Sequence, residues 1–233
     1  MKSLASSLVI LSLVLPAARP EWAAAQPRVS VGLVSKVVLD VSRKEVEKEW
    51  QQAKRGETLA SGDRVKTGDR SLAVIKFKDN SLVRVREQSE LLITGQTKGS
   101  AFSKSVNVQK GAVGFNIMKQ QVDEEFRFSS PTSVASIRGT GGQFVSSDPS
   151  DTLVVTEGVV RLTNSVSNDS VDVVAGTTAI SSVNGVIITR PSTDAERQAA
   201  LEAARIGEKD NQLEFELRDR QGGRKKLKID YRQ

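Results

Sequence analysis

Glu49-Trp50-Gln51-Gln52-Ala53-Lys54-Arg55-Gly56-Glu57-Thr58-Leu59-Ala60-Ser61-Gly62-Asp63-Arg64-Val65-Lys66-Thr67-Gly68 decides how the chain is read. Gly62-Asp63 and Thr67-Gly68 are two tight turns flanking Val65, because glycine accepts positive φ and aspartate bonds its own backbone. Beyond them Leu72, Val74 and Phe77 precede Asp79-Asn80, and Leu82, Val83 and Val85 follow it. That pattern predicts a hairpin closed by a two-residue Asp-Asn loop.

The same grammar extends on both sides. Residues 31–41 read as a first strand and Ser42-Arg43-Lys44 as a turn; residues 46–50 return as a strand, or 45–54 form a short helix on propensity. Further strands are expected at 91–94, 105–108, 111–117, 126–129, 134–137, 143–145, 153–155, 159–162, 171–174 and 185–189. Short strands separated by frequent turns signal a sandwich, barrel or solenoid. Gly111-Ala112-Val113, Gly158-Val159-Val160 and Gly185-Val186-Ile187 recur loosely, which is compatible with irregular solenoid coils.

From Pro191 the pattern changes. Thr193 and Glu196 make a capping box and Gly207 a stop, predicting one helix of about 13 residues whose apolar content is mostly alanine. A hairpin then follows around Gln221-Gly222-Gly223, in a register pairing Leu217 with Leu227, Phe215 with Ile229 and Glu216 with Lys228. Its apolar face must dock on the body or on a partner, since an isolated hairpin is marginal in water.

The ends carry the charge and the address. Lys2, an apolar run from Leu4 to Ala18 and Ala23-Ala24-Ala25 read as a signal peptide cleaved before Gln26, leaving no transmembrane span. Loss of Lys2, Arg19 and Glu21 moves the formal charge from +6 to about +5. Arg220, Arg224, Lys225, Lys226 and Lys228 crowd the other end, as a solvated face or a patch for an anionic partner.

Composition removes most chemistry. The 233 residues contain no His and no Cys, which excludes an ordinary Ser-His-Asp triad, thiol nucleophiles, disulfides and the preferred ligands of zinc and redox metals. A carboxylate pair, a Ser-Lys dyad or a calcium or magnesium site of oxygen ligands remains, but Asp123-Glu124-Glu125 adjoins Lys119 and Arg127 as a solvated turn would. Asp148, Ser150 and Asp151 lack the spacing of a calcium loop. Gly139-Thr140-Gly141-Gly142 lacks the Gly-Lys-Ser/Thr ending and following helix of a phosphate loop. No catalytic residue, metal ligand or cofactor is expected.

The motifs in order resemble the FecR domain, an extracytoplasmic all-β module. The quoted stretch with Trp50, Gly56, Gly62, Asp63, Thr67 and Gly68 opens the resemblance. Ser130-Pro131 stands where the family has Thr-Pro; Pro131 leads to a strand ending in Arg138-Gly139-Thr140, with Phe144 as the buried aromatic. Glu157-Gly158 turns the next hairpin, and Val174-Ala175-Gly176-Thr177 closes the pattern, so the likeness runs over about residues 31–180.

The resemblance implies an all-β solenoid-like roll or sandwich of many short strands, with the roll favoured, a strand at 46–50, and one short helix and a β-hairpin at the end. The boundaries are 1–25 for the signal peptide, 26–190 for the FecR-like domain, 191–209 for the helix and linker, and 210–233 for the basic hairpin. It also implies a binding or signalling scaffold. Because only three residues precede the apolar run, the expectation is an exported FecR-like module rather than a membrane-spanning anti-sigma regulator. That module is periplasmic or at the cell surface, non-catalytic, and engages an envelope protein or polysaccharide. Peripheral membrane contact is allowed and nucleic acid disfavoured. The alternatives are an accessory sensor in iron-uptake signalling and a polysaccharide-acting enzyme.

Overall fold

The computed structural model describes residues 28–99 and 101–205, and the backbone of two further strands, Gln212–Arg218 and Arg224–Asp230. The expected signal peptide, Gly207 and Arg220 lie outside the described residues.

Seventeen strands join into one sheet that folds over on itself as two layers. The first layer runs β4 (Thr58–Ala60), β1 (Ser30–Val38), β6 (Leu72–Phe77), β7 (Leu82–Val85), β9 (Ala101–Asn116), β12 (Gly141–Ser147), β13 (Ser150–Glu157), β16 (Thr177–Ser182) and β17 (Ile187–Pro191). The second runs β3 (Gln51–Gln52), β2 (Val41–Lys44), β5 (Arg64–Thr67), β8 (Glu90–Lys98), β9 again, β10 (Phe126–Ser129), β11 (Ser133–Ile137), β14 (Val159–Asn164) and β15 (Ser170–Val174). The chain is all-β with one short helix. Every ladder is antiparallel except β9–β10, so of the two expected architectures the facing layers of a sandwich describe it.

Strand β9 belongs to both layers. Residues 101–110 pair with β8, and residues 111–116 with β12. Its inward positions are even before the bend (Lys104, Val106, Val108) and odd after it (Val113, Phe115). Such a switch of parity needs one extra residue, and the β8–β9 register slips by one between Leu91 and Glu90. Gly111 allows the bend: its φ is +96°, and a Cβ there would lie 2.2 Å from Ser89 Oγ. The separate strands expected at 105–108 and 111–117 are therefore one.

The core lies between the layers and is organised by phenylalanines. Phe77 and Phe115 of the first layer meet Phe126 and Phe128 of the second at 4.9 and 5.0 Å between centroids, and Phe144 stacks on Phe128 at 6.1 Å. Burial of one such ring stabilises by about 1.5–3 kcal/mol, and the edge contacts add to that.

Four local expectations are corrected. The strand at 31–41 breaks at Leu39, whose φ is +57°, so that Ser42-Arg43-Lys44 is strand β2 rather than a turn. Residues 46–50 are not a strand: Val46 is exposed, Glu47 has φ +62°, and the partner of β2 is Gln51–Gln52. The β6–β7 loop has three residues, 78–80, since Phe77 N donates to Ser81 O; Asn80 takes the left-handed position at φ +65°. The C-terminal hairpin pairs Phe215 with Leu227, Leu213 with Ile229 and Glu216 with Lys226, two residues from the expected register, so the face of each residue is kept.

Helix α1 (Asp194–Ala204) carries the expected capping box, Glu196 N donating to Thr193 Oγ1 at 3.2 Å and Thr193 N to Glu196 Oε2 at 2.8 Å. It ends at Arg205 rather than Gly207, so it has 11 residues. Its buried residues are Ala200 and Ala203, while Leu201 is exposed. Small side chains bring the helix close. A Cβ on Gly114 would lie 1.9 Å from the Ala203 carbonyl oxygen.

Candidate functional site

The first group of motif residues lies on and around strand β5, with Gly62 and Asp63 before it and Thr67 and Gly68 at its end. Gly62, at φ +93°, has Val46 Cγ2 within 2.5 Å of where a Cβ would be, and its N donates to Ile93 O. Asp63 next to it is fully buried: it accepts from Ala60 N at 3.0 Å and from Arg28 Nη1 at 2.5 Å, with Arg43 Nε at 3.6 Å. Arg28 and Arg43 also reach Glu45, and Arg43 reaches Glu57, so two guanidiniums hold three carboxylates over the turn. Thr67 accepts from Ser89 N, and Gly68 N donates to Asp40 O. Lys66 Nζ stands 4.4 Å from the centre of the Trp50 ring. Gly56, at φ +87°, donates to Val34 O.

The second group converges on a groove. Rungs Ser136–Arg161–Asp172 cross β11, β14 and β15 on the outer face of the second layer. The loop from Met118 to Glu125 rises beside them, and between lies an open groove of about 690 Å³ lined by Val122, Glu124, Arg138, Gly139, Gly158 and Val159 among others. Arg138 Nη2 donates to Val122 O at 2.9 Å, fastening the loop to the end of β11. Gly139 has φ +79° and the Lys119 backbone 3.1 Å from a built Cβ. Gly158, at φ +78°, lies against Thr140. Val122 is 87% exposed and Val159 49%, so apolar surface faces water inside a charged rim.

That rim is self-paired. Arg161 forks onto Asp172 at 2.8 and 2.9 Å, and Glu125 pairs with Arg127 and accepts from Ser136 Oγ at 2.8 Å. The Arg127 bond holds the Glu125 carboxyl below its ordinary value despite partial burial, and Arg161 does the same for Asp172. A glycosidase acid needs a carboxyl raised toward neutrality. Glu45, Asp79, Glu125, Asp172 and Glu196 are all displaced downward, toward the charged form.

Other expected positions play structural parts. Phe144 is in the core; Pro131 is exposed beside Ser130, whose hydroxyl caps the turn by accepting from Thr132 N and Ser133 N. Asp151 is buried and takes both the Ser130 and Ser133 hydroxyls, while Asp148 is exposed, so the two do not share a cation loop. Gly141 and Gly142 start strand β12, not a helix. Arg224, Lys225, Lys226 and Lys228 lie on β19 (Arg224–Asp230), opposite β18 (Gln212–Arg218); alternation puts Lys225 on the other side of the hairpin from the remaining three. Among the described residues no three His, Cys, Asp or Glu gather as a metal site would require, and no helix is long and apolar enough to cross a membrane.

One cluster went unread in the sequence. Lys104 is buried to 2% exposure between the layers, donating to Asp79 Oδ2 at 2.8 Å, and Gln120 Nε2 donates to the same oxygen at 2.9 Å. Burial pushes Asp79 up, but the bonds from Lys104, Gln120 and Ser81 outweigh it. Alternation could have found Lys104, which shares its parity with Val106 and Val108.

Residues 63–161 match the family model described as FecR protein, and over that span, β5 to β14, the chain carries a FecR domain. Two crystal structures of a candidate anti-sigma factor from Parabacteroides distasonis ATCC 8503, at 2.50 and 1.65 Å resolution, are similar in fold, each with a TM-score of 0.50. Identity is 14% and 13%, over 59% of this chain and 63% and 64% of theirs. This chain thus spans less than two thirds of the length of those proteins, and the likeness is one of fold. No curated protein matches the chain.

Proposed function

We propose that this chain is an exported, non-catalytic FecR-domain module that binds a protein partner of the cell envelope through the groove between the 118–125 loop and strands β11, β14 and β15. The observation that supports it is the convergence of Arg138, Gly139 and Gly158 on one open groove with exposed Val122 and Val159 inside a charged rim. Exposed valines ringed by charge suit a protein surface, with a dry centre and a polar edge. Asp123, Glu124, Glu125 and Asp172 repel a phosphate backbone, which argues against nucleic acid. Two of the groove carboxyls, Glu125 and Asp172, are held in the charged form by Arg127 and Arg161, which suits neither to be a glycan-cleaving acid.

A signalling role in iron uptake is the second reading. It is favoured by the family match and by the anti-sigma description of the similar structures. Export to the periplasm or cell surface rests on the short apolar run and Ala23-Ala24-Ala25.

The test compares the wild-type chain with Val122→Asp, Val159→Asp on immobilised supports exposed to envelope extract. A partner retained by the first and lost by the second, and then rebound in purified form, is the expected result. Retention that ignores both substitutions defeats the groove reading, and a sigma regulator or iron-uptake receptor as the retained partner selects the signalling role. Turnover on a glycan panel would defeat the non-catalytic reading.

A further inference from the structure

The outer face of the first layer is apolar where water would be expected. Across β1, β6 and β7 the register sets Leu33, Lys76 and Leu82 in one row and Lys36, Val74 and Arg84 in the next, with Val38 beside Leu72. Leu72 and Val74 alternate with Ala73, Ile75 and Phe77, which fill the interlayer core. They are nonetheless only 9% and 3% exposed, although they stand outside that core. The opposite layer cannot account for this shielding. An open groove of about 430 Å³, floored by Val38 and Leu72 and edged by Lys36, Arg70, Arg84 and Arg86, lies on the same face.

The chain itself arrives there. Arg84 Nη1 donates to the carbonyls of Arg205 at 2.8 Å and Glu202 at 3.3 Å, fixing the end of helix α1 beside the groove. Only residues 206–211 separate Arg205 from strand β18. Fully extended, that connection reaches at most about 25 Å, so the hairpin starts close to this face. Alternation puts Leu213, Phe215 and Leu217 on one side of the hairpin with Leu227 and Ile229, and Glu214 opposite Lys228 and Glu216 opposite Lys226 on the other.

We propose that the C-terminal hairpin of the same chain packs its apolar side on the outer face of β1, β6 and β7 as a third layer. Two surfaces that each need cover are joined by a short tether, and two-stranded hairpins gain stability by such packing. The long stems of Lys36, Arg84 and Arg86 border the contact, and Arg84 stays tied to the end of helix α1. Arg224, Lys226 and Lys228 then share the other face of the hairpin with Glu214 and Glu216, and the hairpin is a cover rather than a free basic arm.

The chain has no cysteine, so thiol labelling reads this directly. Val74→Cys is introduced into the full chain and its rate of reaction with a maleimide is measured, then measured again with Phe215→Ser and Leu227→Ser added. Loosening of a docked element is expected to speed labelling by about tenfold or more, while a core control, Val83→Cys, stays unreactive in both backgrounds. Equal rates at Val74→Cys with and without the hairpin substitutions overturn the proposal. So does equal acceleration at Val83→Cys, which reports general unfolding. Protection that disappears on dilution also overturns it, since a second copy would then be the cover.

Discussion

Gly158 leaves no room for a side chain beside Thr140: a Cβ would stand 2.5 Å from Thr140 Cγ2 and 2.9 Å from the Gly139 carbonyl oxygen. Two motif segments that are separate in sequence thus form one packed corner at the rim of the groove. Gly158→Ala is expected to cost on the order of 1–3 kcal/mol from the crowding and from φ +78° together. Gly139→Val should fall in the same range of about 1–3 kcal/mol, since a left-handed backbone resists a branched side chain. Chemical denaturation measures both, and unchanged stability with lost partner binding would instead make these residues direct contacts.

Gly114 is the seat of helix α1. Gly114→Ala should push the helix off β9 and β12, because the atom in the way is the Ala203 carbonyl oxygen rather than a yielding side-chain tip. The expected outcome is faster amide exchange across residues 194–204 with the strands unaffected; unaltered exchange there would disprove the close seating.

Lys104 and Asp79 share a half-buried bond. Lys104→Met should destabilise by about 1–4 kcal/mol, because it strands a carboxylate that burial penalises. Adding Asp79→Asn should recover part of that loss. A double-mutant cycle with additive energies would mean the pair is not coupled.

Glu196 gives the helix a pH dependence. The Arg190 fork, then the Thr193 backbone and hydroxyl, lower its carboxyl from 4.5 to about 2. A depressed folded value means stability that is complete above pH 4.5 and is lost as pH falls toward about 2. Helix exchange protection should therefore decline across that window in the wild type. In Glu196→Gln it should already be weaker at neutral pH and change less; identical profiles would remove Glu196 from the account.

Much of the β architecture was legible because alternation is a local signal. Phe126 and Phe128 mark strand β10 at its true bounds, and the glycines at 62, 139 and 158 announced their turns. Strand β16 escaped notice because its buried positions include Thr178 and Ser181, whose hydroxyls bond Ser192 and Asn164 instead of presenting an apolar stripe. Residues 46–50 misled because propensity left strand and helix open and the family resemblance put a strand there, whereas Glu47 turns left-handed and Val46 is exposed. The groove was not legible. It depends on β11 pairing with β14, more than 20 residues further on, and on a loop tied down by Arg138 through a backbone carbonyl that no sequence pattern reports.

Strand β9 stands at the centre of both layers, with strands β1 to β8 all on one side of it and β10 to β17 all on the other. Hairpins gained or shed at either extremity would leave the middle pairings untouched. The FecR match, which begins at β5 and stops within β14, covers that middle and omits the outermost strands on both flanks. Such a chain can change length from its ends inward, so relatives of quite different size can keep the same heart.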